Sequence, residues 1–208
     1  MLAQTFTVAT LSLLSAMLPG PDFALVIKNT ISHSRRAGFF TAFGIASAVM
    51  IHLTYCVLGI GLVISQSLLL FSIIKYIGAA YLIYIGINSL LAKNIPHVKG
   101  ESDKKHKTSQ STLISFRQGF ICNLFNPKAT LFFLALFTVI IKPHTPLLLN
   151  VFYAVEIVII ISIWFCGLVL LLSHPHIMRL LDKSEKYISK ALGIFLIGFG
   201  IALAFIKQ

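Results

Sequence analysis

Thirty-seven consecutive residues, Gly38 to Ile74, contain no Asp, Glu, Lys or Arg, and Ile157 to Met178 gives another 22. A helix needs about 20 predominantly apolar residues to cross the hydrocarbon core of a bilayer. The shorter stretch therefore reads as one membrane span and the longer as more than one. A soluble domain is ordinarily about a quarter charged. This 208-residue chain is 57% hydrophobic and 11% charged, which excludes most soluble classes, and its wealth of Leu, Ile, Val and Phe excludes a disordered chain. Met1 to Pro21 lacks the basic n-region of a signal peptide, and the apolar pattern continues past it, so it is assigned to the first span.

Reading between polar punctuation predicts an all-α integral membrane protein with six helices, at roughly 4–28, 38–64, 66–91, 114–141, 148–173 and 190–206. The one long polar stretch lies near 93–112 and has the composition of a linker. The expected organisation is a first three-helix repeat over 1–92, a basic cytoplasmic connector over 93–113 and a second three-helix repeat over 114–208.

Of 17 Lys and Arg, thirteen fall in the segments between spans one and two, three and four, and five and six, or at the span ends that border them. The positive-inside rule makes that side cytoplasmic and puts both termini outside. The net charge of +11 thus becomes a topology signal. A nucleic-acid surface would gather its cations on one folded face with aromatics for stacking, whereas these sit at helix ends, so no nucleic-acid partner is expected. Contact with the lipid bilayer is. Cys56, Cys122 and Cys166 each stand alone inside a span, as small apolar residues rather than a redox pair.

Span one contains Leu18-Pro19-Gly20-Pro21-Asp22. Two prolines and a glycine break a helix, and broken backbone at membrane depth is tolerated only against protein or a wet cavity. An acid at the break is costly and points to function. Span four carries Asn126-Pro127-Lys128, preceded by Asn123. Both breaks place a charge directly after a proline, with opposite signs. Spans three and six also open alike, Lys75-Tyr76-Ile77-Gly78 and Lys190-Ala191-Leu192-Gly193. Three spans per half makes the repeat inverted, and broken helices at matching places in inverted repeats point to a transporter's substrate site.

Pro19-Gly20-Pro21-Asp22, Arg35-Arg36-Ala37-Gly38, Ile77-Gly78-Ala79-Ala80-Tyr81-Leu82 and Asn126-Pro127-Lys128 together resemble the LysE/RhtB family over nearly the whole chain. The resemblance implies an exporter of amino acids or related metabolites in the bacterial inner membrane, proton-driven, dimeric, without cofactor or metal, and not an enzyme. It maps the family's Pro-Gly-Pro segment onto Pro19, Gly20 and Pro21, with Asp22 next, and its Asn-Pro-Lys motif onto Asn126, Pro127 and Lys128. It also matches His52 to a histidine found in many relatives. Glu156 lies nearer the outer end of its span than the resemblance leads one to expect, and no role is carried onto it.

A zwitterion needs an anion for its ammonium and a cation or amide for its carboxylate. Asp22 and Lys128 supply both if the halves meet, and without substrate they are expected to neutralise each other. His52 is either a second proton carrier or a packed, hydrogen-bonded histidine. Gly38, Gly44, Ala48, Gly78 and Gly86 are expected at close helix contacts. His174-Pro175-His176 reads as a helix stop. The alternatives are a cation or metal transporter, which would need more carboxylates, amides or thiols than two intramembrane acids supply, and a membrane-embedded enzyme or redox carrier, for which no residue set is visible.

Overall fold

The computed structural model describes residues 2–60, 68–91, 110–140, 145–172 and 175–205. Among them lie eight helices and no strand: α1 (Leu2–Met17), α2 (Pro21–Ser32), α3 (Arg35–Tyr55), α4 (Leu68–Leu91), α5 (Thr112–Leu124), α6 (Pro127–Ile140), α7 (Leu147–Leu171) and α8 (Pro175–Phe205). A single π-helical turn, Cys56–Ile60, extends α3. The connector expected at 93–113 falls almost wholly outside the described residues, as does the expected boundary between spans two and three.

Both proline breaks are present. Pro21 takes the first position of α2, where its missing N–H costs nothing, and Ala24 N–H closes the first turn on the Gly20 carbonyl at 2.9 Å. The α1–α2 pair is bent by 60° there. At the second break Pro127 opens α6, and the side chain of Asn126 caps it, its Oδ1 accepting from Lys128 N–H at 3.0 Å. Here the bend is 57°. α3 starts on a Ser34 cap whose Oγ accepts from Ala37 N–H at 3.1 Å.

One expectation is corrected at the C-terminus. The sixth helix was expected from 190, yet α8 begins at Pro175, so Arg179, Lys183, Lys186 and Lys190 belong to helix rather than to a connecting loop. Hydropathy sees only the apolar portion of that helix, Gly193–Phe205, whereas Lys, Arg and Glu are good helix formers and carry the helix further. The stop at the end of α7 is present, and Pro175 doubles as the first residue of the next helix.

Sterics explain which helices abut. α3 lies along α5, and α4 along α8. A Cβ on Gly44 would strike the Phe116 carbonyl, and one on Gly119 would strike the Thr41 carbonyl, so these helices meet backbone to backbone. Gly86 and Gly193 do the same between α4 and α8, each facing the other's carbonyl at 2.7 Å from an ideal Cβ. Close approach through small residues is how membrane helices gain packing when lipid removes the hydrophobic drive between them. Gly38, Gly44, Gly78 and Gly86 all sit at such contacts, as expected.

α7 turns Asn150, Tyr153, Ile157, Ile161, Phe165 and Leu168 inward, while Val155, Ile159, Ile163 and Leu170 remain exposed. An apolar outside around an apolar inside suits lipid and not water. Among the described residues, Arg35–Gly59 and Leu147–Leu171 are each long and apolar enough to cross a membrane, and the two bent pairs bring the number to four if each counts as one span.

Candidate functional site

The two breaks meet. A cavity of about 40 Å³ between them is lined by Gly20, Asp22, Asn123, Asn126 and Lys128, with Ser15, Ile45, Val49, Phe133, Ile161 and Phe165 among its walls. Five of the nine residues singled out by sequence thus face one space. Pro19, Pro21 and Pro127 do not line it; Pro21 and Pro127 each open the half-helix that follows a break. His52 stands behind it.

Asp22 occupies the first turn of α2, at the end of the helix dipole that favours a negative charge. Its Oδ2 accepts from Asn126 Nδ2 at 2.8 Å and from Asn123 Nδ2 at 3.0 Å. Its Oδ1 is buried without a hydrogen-bond partner, as is Asn123 Oδ1. Two amides therefore fix the carboxylate and leave one oxygen uncommitted. Buried polar atoms seldom stay unpaired, so this oxygen marks where a donor belongs.

Lys128 crosses to the other break. Its Nζ donates to the Leu18 carbonyl at 3.0 Å, one of the acceptors left open where α1 ends. A cation at a helix C-terminus complements the anion at the N-terminus of the next. An ideal Cβ on Gly20 would lie 3.2 Å from this ammonium, so the glycine makes room for it. The two charges do not pair directly: among the described residues no ion pair joins Asp22 to Lys128, because neutral amides hold one and a backbone carbonyl the other. They still face the same small cavity.

His52 is buried on α3, with Nε2 3.1 Å from the Asn123 carbonyl and Nδ1 2.5 Å from the Tyr55 hydroxyl. A carbonyl only accepts, so Nε2 carries the proton, and in the neutral ring Nδ1 accepts from Tyr55. Both nitrogens are therefore engaged away from the cavity. The hydrogen-bonded reading accounts for this placement, and His52 reaches the cavity lining through the Asn123 carbonyl.

Sequence reasoning did not identify the apolar walls Phe133, Ile161 and Phe165 or the polar Ser15 as site residues. Their spacing is that of ordinary core positions, and nothing local separates a wall from a core. Among the described residues no group of three or more His, Cys, Asp or Glu side chains gathers as a metal site would.

The chain matches the family model described as LysE type translocator over residues 13–206. It is 32% identical over 190 residues to the uncharacterized membrane protein YrhP of Bacillus subtilis, covering 89% of this chain and 90% of that one. It is 30% identical over 203 residues to the threonine efflux protein of Salmonella typhi and 28% over 206 residues to that of Escherichia coli, with 98% of both chains covered in each case. No solved structure matches the chain.

Proposed function

The chain belongs to the LysE type translocator family, and from that premise we propose that it exports amino acids or closely related zwitterionic metabolites across the bacterial inner membrane, driven by the proton gradient. The observation that carries this reading is that Asp22 and Lys128, opposite charges at two helix breaks, face one cavity, with two amides holding one oxygen of the carboxylate and the other left without a partner. Asp22 Oδ1 receives the substrate ammonium. Lys128 leaves the Leu18 carbonyl to take the substrate carboxylate. The threonine efflux proteins similar to this chain along almost their whole length support a small polar amino acid.

A volume of about 40 Å³ holds a few waters at most, since one water needs roughly 10–15 Å³ on this measure. Substrate therefore enters a wider conformation than this one. We assign the motion to rocking of the repeat at 1–92 against that at 114–208, each contributing three of six spans, with the thirteen-cation side cytoplasmic and both termini outside. Asp22 takes a proton from outside when substrate leaves, which resets the carrier. The functional unit in this reading is a homodimer.

Asp22→Asn and Lys128→Met, reconstituted in vesicles loaded with threonine under an imposed proton gradient, are expected to lose most efflux while still inserting and folding. Wild-type rates in both would refute the assignment. Thermal stabilisation by a divalent metal ion and by no amino acid would overturn the amino-acid assignment.

A further inference from the structure

A second polar cluster joins the same half-helices two turns away from the cavity. Asn29 lies seven residues beyond Asp22 on α2, and Gln118 five residues before Asn123 on α5. Both lie toward the end of the bundle that carries Lys28, Arg35, Arg36 and Arg117. Asn29 is 1% exposed and Thr41 on α3 is fully buried, whereas Gln118 is exposed and Gln110 half-buried, so the cluster runs from the interior to the surface of the bundle. Asn29 Nδ2 donates to Thr41 Oγ1 at 2.8 Å and to Gln118 Oε1 at 2.9 Å, and Gln118 Oε1 also accepts from Gln110 Nε2 at 2.9 Å. Both amide protons of Asn29 and both lone pairs of Gln118 Oε1 are thus used.

Between this cluster and Asp22 the seam is poorly filled. Leu25, Ile121 and Cys122 border an open surface groove of about 450 Å³ along it, which continues past Gln118 to Arg117 and Ile114, and α2 rests on α3 more than on α5. The side-chain hydrogen bonds between α2 and α5 sit at the two ends of the seam: Asp22 with Asn123 at one, Asn29 with Gln118 at the other. On the opposite side of the cavity the walls from α6 and α7 are Phe133, Ile161 and Phe165. The two sides of the site are closed by different chemistry.

We propose that Asn29, Thr41 and Gln118 close the substrate path on the basic side of the Asp22–Lys128 site, and that substrate from that side reaches the site when the Asn29–Gln118 bond opens. This rests on the transporter reading above. Hydrogen bonds suit the task because each contributes only modestly on balance, so two or three can break and re-form within a transport cycle. An apolar plug of equal area would have to be exposed to water on every opening.

The test uses the full-length carrier with Cys56, Cys122 and Cys166 replaced by Ala and one reporter, Ser15→Cys, in the cavity wall. A membrane-impermeant maleimide is applied to inside-out and right-side-out vesicles without substrate. Asn29→Ala and Gln118→Ala are expected to raise labelling from the basic face about tenfold, as the loss of two hydrogen bonds allows, and not from the other face. Unchanged labelling in both overturns the proposal. As a measurement independent of weakened folding, Asn29→Cys and Gln118→Cys are introduced together, without the reporter, and bridged by a short bis-methanethiosulfonate. Threonine exchange should stop and return with reductant, whereas exchange that continues through the bridge overturns the closure. Labelling is read without cargo, so a carrier that shows the labelling change but moves no amino acid refutes the substrate assignment and leaves the closure standing.

Discussion

Asn126 donates to Asp22 Oδ2 at 2.8 Å across 104 residues of sequence, while its own Oδ1 caps the helix that carries Lys128. One side chain thereby orients the acid of the first break and starts the helix of the second. The two halves are coupled through a neutral amide, and the charges remain uncommitted to each other. In the proposed transport cycle an Asp–Lys bond would have to be broken by every substrate, and the amides leave that cost out.

Replacing Asn126 separates its two duties. Asn126→Asp keeps an oxygen for the cap but sets a second carboxylate against Asp22, and it is expected to retain the fold and lose efflux. Asn126→Ala loses cap and tie together, and thermal unfolding in detergent should show a loss of about 1–3 kcal/mol. Equal efflux by Asn126→Asp and wild type would show that Asp22 does not depend on this donor.

His52 supports Asn123 from behind. His52→Ala leaves the Asn123 carbonyl without the ring donor and is expected to cost about 1–3 kcal/mol of stability. Because its nitrogens point to Asn123 and Tyr55, the pH profile of efflux should keep its shape even as the rate falls. A profile flattened between pH 5 and 8 would identify His52 as a proton carrier after all.

Gly20 and Gly44 are predicted to respond differently to the same substitution. Gly20 has an extended backbone, with φ −171° and ψ −172°, which any residue adopts, so Gly20→Ala meets only the movable end of Lys128. Unfolding should be almost unaffected, and the KM for efflux should rise. Gly44→Ala drives a methyl into the Phe116 carbonyl, and the overpacking should lower stability by about 1–3 kcal/mol, read from the unfolding midpoint.

Asp22→Glu tests how tightly the acid is held. The longer side chain keeps the charge but moves it in a cavity of only about 40 Å³, and efflux should fall well below wild type while exceeding that of Asp22→Asn. Identical rates for the two variants would mean that position, and not charge alone, limits the cycle.

Much of this was legible along the chain. Charge-free runs, the prolines at 19, 21 and 127, and the glycines at helix contacts are local properties: a proline ends a helical ladder wherever it stands, and apolar runs of membrane length seek lipid. The motifs around Asp22 and Lys128 also carried the family. Helix ends were less legible, as the charged start of α8 shows, since hydropathy tracks lipid contact and not helix formation.

What only the tertiary structure decided is who pairs with whom. Opposite charges in sequence suggested that Asp22 would meet Lys128, yet the crossing of α2, α5 and α6 brings Asn123 and Asn126 to the acid first and sends the lysine to the Leu18 carbonyl. His52 ended behind the site and Asn29 against Gln118 for the same reason. Contacts between residues 70 to 110 apart depend on which backbones approach closely, at Gly44 and Gly119 for example, and on which orphan groups the breaks expose there. Those are properties of the packed bundle, and no local pattern encodes them.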